Sequence, residues 1–139
     1  MRRVDSVTEF IVRMENQPGR LATLTEALAA AGVNIEALAA YGHDGEGTVR
    51  LIVNDAGTTR RVLEEAALGA EEHTVLTALL PDRPGELARL TRSVADAGIN
   101  IDAIYVLNTT VDGIEFAIAV DQPASALPDL EVTGGITSE

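Results

Sequence analysis

Two short stretches of this chain carry residue types that could hold a small charged molecule. Asn16-Gln17-Pro18-Gly19-Arg20-Leu21 is completed by Val33-Asn34-Ile35. Asp82-Arg83-Pro84-Gly85-Glu86-Leu87 is completed by Ile99-Asn100-Ile101, 66 positions later in each case. Each opens a helix behind a Pro-Gly turn. The N–H groups free at a helix start suit an anion such as a carboxylate. A glycine at the turn lets a ligand approach the backbone closely. An asparagine amide donates and accepts, so Asn16 and Asn34 could each hold a carboxylate or an ammonium. Taken singly, Pro-Gly is ordinary turn chemistry and Asn34 could simply bond across a strand end. Asn16, Gly19 and Asn34 together favour a site. Asp82 stands where Asn16 does; it would attract an ammonium and repel a carboxylate, so the two sites are expected to be unequal.

The elements that must position these residues follow from periodicity. Val7 to Met14 reads as a strand, with Phe10, Val12 and Met14 on one face. Arg20 to Ala31 reads as a helix with Leu21, Leu24, Leu28 and Ala31 inward and Gly32 ending it. Strands are expected at Val33 to Tyr41 and Thr48 to Val53, around a turn from Gly42 to Gly47, and a helix from Thr58 to Ala67. Ala70 to Leu80 is a long extended segment whose start completes the first repeat and whose end opens the second. The second repeat then gives a helix from Glu86 to Ala97, with Leu87, Leu90, Val94 and Ala97 inward, and strands from Ile99 to Asn108 and Ile114 to Val120. Gly47 and Gly113 keep the 66-residue offset, so the copies are expected to align without a gap. After Gln122 the pattern weakens. Pro128 allows little helix, so the last helix of the second copy is expected to be short or missing and the tail frayed.

An internal repeat of this kind sets the architecture. Each copy reads as βαββαβ, a ferredoxin-like α+β unit, with residues 1–72 forming the first and 73–139 the second. Halves this small are near the limit for an independent core. They are therefore expected to pair side by side in an antiparallel sheet with helices on one face. In the second copy both strand faces are apolar, with Ala117 and Ala119 alternating against Phe116 and Ile118. An open apolar face of that kind points to a homodimer.

Composition excludes several function classes. The 139 residues carry a net charge of −12 and no cysteine, and every basic residue is arginine. An acidic surface repels phosphate backbones and anionic membranes, so neither nucleic acid nor membrane is an expected partner. Disulfides and thiolate metal sites are excluded. No stretch reaches membrane-span length and no signal-peptide pattern follows Met1, so a cytoplasmic location is expected. His43 and His73 have no matched nucleophile or metal spacing, and no phosphate loop or dinucleotide fingerprint occurs. No metal, cofactor or enzymatic activity is expected. RNA-binding domains share the fold, but the sheet aromatics Phe10, Tyr41, Tyr105 and Phe116 lack their basic surroundings.

The paired motifs resemble the signature of the ACT domain family, a small-molecule-sensing regulatory module, over roughly residues 7–121. The whole resembles the stand-alone tandem ACT proteins. The resemblance implies a non-catalytic sensor that binds a free amino acid between ACT units, contacting the turn of one and the strand-opening asparagine of the other, and regulates a partner enzyme of amino-acid metabolism. By position it implies Met14, Asn16, Gly19, Arg20, Leu21 and Asn34 for the first copy, and Leu80, Asp82, Gly85, Glu86, Leu87 and Asn100 for the second. The alternative is a structural protein–protein interaction module without a ligand. Keeping Asn34 and Asn100 in both copies favours the sensor.

Overall fold

The structure, a computed structural model, describes residues 4–123. Among them the elements run β1 (Val4–Glu15), α1 (Arg20–Ala30), β2 (Ile35–His43), β3 (Glu46–Val53), α2 (Ala56–Glu65), β4 (Ala70–Leu80), α3 (Glu86–Asp96), β5 (Ile101–Thr110) and β6 (Gly113–Val120). They fall into two α+β units. One holds Thr8–His73; the other holds the chain from Thr74 together with the residues before Thr8. The expected weakness of the last helix and tail concerns residues 124–139, outside the described residues.

In the first unit β3 pairs antiparallel with both β1 and β2, and the start of β4, Ala70–His73, lies beside β1. This is the split βαβ order expected from the sequence. Phe10 and Val12 of β1, Val49 and Leu51 of β3, Leu24 and Leu28 of α1 and Val62 and Leu63 of α2 form its core. In the second unit β6 pairs with β4 and β5, and the strand on the far side of β4 is Val4–Val7, the start of β1. β4 thus serves both repeats, as its pattern suggested. β1 does the same, which the repeat did not reveal. Leu76, Ala78 and Leu80 pack with Leu90 and Val94 of α3 and Ile118 and Val120 of β6.

The copies do not align without a gap. Leu38 opposes Leu51 in the first hairpin, but its counterpart Ile104 opposes Ile118, one residue beyond the 66-residue match. The register slips between Val106 and Asn108, a bulge that leaves Leu107 as the extra residue. A one-residue slip exchanges the faces of everything after it. Ile114, Phe116, Ile118 and Val120 therefore turn toward the helix side, and Ala117 and Ala119 turn away from it. That other face is not open: Val75, Thr77, Ala117 and Ala119 are all buried within the chain. These four residues therefore do not supply the open apolar face from which a dimer was expected. Exposed apolar side chains sit instead at Leu21, Leu38, Leu87 and Val106. Leu21 and Leu87 were expected inward, but they lie in the first turn of their helices, beyond the reach of the core.

Local chemistry sets the helix ends. α2 begins two residues before the expected Thr58 because Asp55 caps it, accepting from the Thr58 N–H at 3.0 Å and the Thr58 hydroxyl at 2.6 Å. These bonds hold the Asp55 carboxyl below its ordinary value of 3.8. Glu72, gripped by both arms of Arg60 at 2.6 and 2.7 Å, is likewise lowered by that hydrogen bonding. A carboxyl depressed in the fold stabilises it at pH above the unfolded value, and the contribution disappears as pH falls through the folded value. Asp55→Asn keeps the cap without the charge. Wild type is expected to melt above this variant at pH 7, and the gap should close below pH 3.8. Thermal melts across pH 2–7 check this.

Candidate functional site

α1 begins differently from α2. Its N-cap is Gly19 in the left-handed region, φ 87°, and no side chain caps it. Only glycine enters that region cheaply. No atom lies within 4 Å of where a Gly19 side chain would start, so the glycine serves the turn and leaves open space beside it. The uncapped first-turn N–H groups face no side-chain acceptor of their own, which leaves a place for an anion.

A cavity of about 240 Å³ lies against this turn, a small volume for a ligand pocket. Its wall on the β1–α1 side includes Met14, Glu15, Asn16, Arg20 and Leu21; Tyr41, Gly42, Gly47 and Thr48 of the hairpin close the other side. Arg20 and Glu15 meet at 3.1 Å across the rim, and Gln17 donates to Glu15 at 3.0 Å. The cavity thus holds a cation and a carboxylate side by side, the complement of a zwitterion. Gly42 plays a different part from Gly19: a Cβ there would fall 2.2 Å from the Asn16 amide nitrogen, so the asparagine side chain packs directly on the strand backbone and would have to turn aside for any larger residue. A second hollow of about 380 Å³ lies between α1 and α2, more apolar, with Leu24, Ala27, Val62 and Leu68 in its wall. Met14, Glu15 and Arg20 divide the two.

Of the residues expected in the first copy, Met14, Asn16, Arg20 and Leu21 line the cavity, with Gly19 in the turn beside it. Asn34 does not join them. It precedes β2, whose first residue Ile35 pairs with Val53, whereas Glu15 ends β1 opposite Glu46, at the other end of the β3 strand. The Asn34 backbone exchanges two hydrogen bonds with Asn54, N–H to Oδ1 at 2.9 Å and C=O from the Asn54 N–H at 3.1 Å. Asn100 and Asp121 repeat this exchange at 3.0 and 3.1 Å, and the Asn100 amide also donates to Asp102 at 2.8 Å. Both asparagines therefore tie a strand opening to the end of the next strand.

In the second copy Leu80 is core, Asp82 is exposed, and Gly85 repeats the left-handed cap at φ 92°. Leu87 is exposed. Glu86 is buried between Arg83 and Arg89. Sequence reasoning missed Glu15, Tyr41, Gly42 and Thr48, whose approach to the turn depends on strand pairing. Two glycines inside one hairpin, Gly42 and Gly47, were the available signal. His43 and His73 are exposed and pair with Asp44 and Glu71. Among the described residues no cluster of metal-ligating side chains forms, and no helix is long and apolar enough to cross a membrane.

The ACT domain family model matches twice, over residues 8–67 and 74–131. No curated protein matches the sequence. Among solved structures, a protein from Bacteroides thetaiotaomicron is 22% identical with a TM-score of 0.82, over 92% of this chain and 88% of its own. The ligand-free regulatory subunit of aspartate kinase from Thermus thermophilus is 19% identical with a TM-score of 0.67, over 96% of each chain. The same subunit from Thermus flavus is 20% identical with a TM-score of 0.63, over 95% of each. At these identities the likeness is one of fold.

Proposed function

Because the chain belongs to the ACT domain family and carries the domain twice, we propose that it is a non-catalytic sensor of a free amino acid that regulates a partner in amino-acid metabolism. The observation that carries this reading is the cavity at the first turn, where Arg20 and Glu15 flank an uncapped helix start. The ligand carboxylate would take the first-turn N–H groups and Arg20, and its ammonium would take Glu15 and Asn16. The small volume favours a small side chain. Asn34 stands too far from its own unit's turn to help, so it can act only on the site of another ACT unit. A homodimer in the cytoplasm, bringing in Asn34 or Asn100 from a second copy, fits that need and the exposed Leu21 and Leu38. Fold relatives that are regulatory subunits of aspartate kinase support a regulatory role over an enzymatic one.

A thermal-shift screen against the twenty amino acids tests the reading, because a ligand that binds only the folded chain raises its melting temperature. At least one small amino acid is expected to raise it, and Gly19→Val, which strains the left-handed cap and crowds the turn, to weaken the effect. If no amino acid raises it, the chain is an interaction module and the Pro-Gly turns are only turns.

A further inference from the structure

We propose that Glu86 is a resident anion of the second repeat: its carboxylate fills the place at the start of α3 that a ligand carboxylate takes at the start of α1, so each chain binds one amino acid, at its first repeat. The two helix starts share their backbone. Gly19 and Gly85 have φ of 87° and 92°, and neither helix has a side-chain cap. They differ in the first helical residue. Arg20 is exposed at the cavity rim. The Glu86 side chain is only 4% exposed, with Arg83 Nε at 2.8 Å and Arg89 Nη1 at 3.3 Å. A buried carboxylate is costly unless paired, and among the described residues this one has two guanidinium partners, with a helix N-terminus beside it.

The surrounding walls change in the same sense. With the bulge at Leu107 taken into account, Gly42, Gly47 and Val49 of the first hairpin correspond to Thr109, Ile114 and Phe116 of the second. Each replacement is larger. Three positions that line the cavity of the first repeat thus carry larger side chains in the second, next to a carboxylate that repels a second one.

The count of one ligand per chain rests on the amino-acid reading above; the role of Glu86 as a resident anion does not. Thermal melts of wild type, Glu86→Ala and Glu86→Gln, in sodium acetate and in sodium chloride at equal ionic strength, test that role. Glu86→Ala leaves two arginines and a helix start around an empty place. Acetate is expected to raise its melting temperature by a few degrees over chloride, while wild type and Glu86→Gln, whose side chains fill the place, respond equally to both salts. If Glu86→Ala does not fold in chloride, its recovery of structure in acetate reads the same effect. Equal behaviour of Glu86→Ala in the two salts overturns the proposal. Calorimetry on the full chain, with the amino acid giving the largest thermal shift, should return one ligand per chain, and two would overturn the proposal. If no amino acid binds, the sensor reading fails by itself and the acetate comparison still decides the role of Glu86.

Discussion

Replacing Arg50 by methionine is expected to cost about 3–5 kcal/mol, the usual penalty for removing one partner of a buried ion pair. Arg50 Nη1 lies 2.9 Å from Glu9 Oε1, with side-chain exposures of 12% and 0%. Its Nε approaches the Tyr41 hydroxyl at 3.4 Å. Glu9 belongs to β1 and Arg50 to β3, on the sheet face opposite Phe10 and Leu51. Methionine keeps most of the arginine stem and removes the charge, so the loss reports the broken ion pair rather than a cavity. Glu9→Leu combined with Arg50→Met should recover a large part of the loss, because both charges of the buried pair have gone. Urea unfolding of both variants measures this. A cost below about 1 kcal/mol for Arg50→Met is the range of exposed pairs and would mean that water reaches Glu9.

Arg20→Ala is expected to separate binding from stability. Arg20 is about half exposed, and its pair with Glu15 is a surface pair whose loss costs at most about 1 kcal/mol. A hydrogen bond from its guanidinium to a ligand carboxylate contributes about 1.5–3 kcal/mol, so affinity for the amino acid should fall roughly tenfold to a hundredfold. Calorimetry reads the affinity and a melt of the unliganded protein reads the stability. Arg20→Glu should abolish binding, since it places a carboxylate where Glu86 stands in the second repeat. Unchanged affinity in Arg20→Ala would remove Arg20 from the site.

These two residues show what the sequence did and did not reveal. The fold was legible because patterns repeat: Ala70 to Leu80 reads as one strand and is one, and the Pro-Gly turns open α1 and α3 where expected. Asp55 was passed over because the helix was read from its apolar periodicity rather than from its cap. The bulge at Leu107 escaped because Gly113 lies at the same sequence offset from Gly47, and register is fixed by which face each residue takes, not by spacing. Alternation put Phe10, Val12 and Met14 on one face and gave no partner for Glu9 on the other. Only the packed structure shows it buried with Arg50. Of the residues that the family resemblance implied for the first copy, Met14, Asn16, Arg20 and Leu21 line the cavity. Glu15 became meaningful only once Arg20 was seen beside it, and Gly42 once Asn16 was seen packed on it. Burial of Glu86 likewise depends on Arg83 and Arg89 closing over it.

The most direct measurement of the central claim is an amide nitrogen–proton NMR titration of the full chain with the amino acid that gives the largest thermal shift. The account predicts the largest changes at the N–H groups of Leu21 and Ala22, where the carboxylate meets the start of α1. Smaller changes are predicted at Asn16 and Gly42 across the cavity, and little change at Leu87 and Ala88, where Glu86 already occupies the equivalent place. Changes of equal size at both helix starts, or changes clustered away from Asn16 to Ala22, would contradict it.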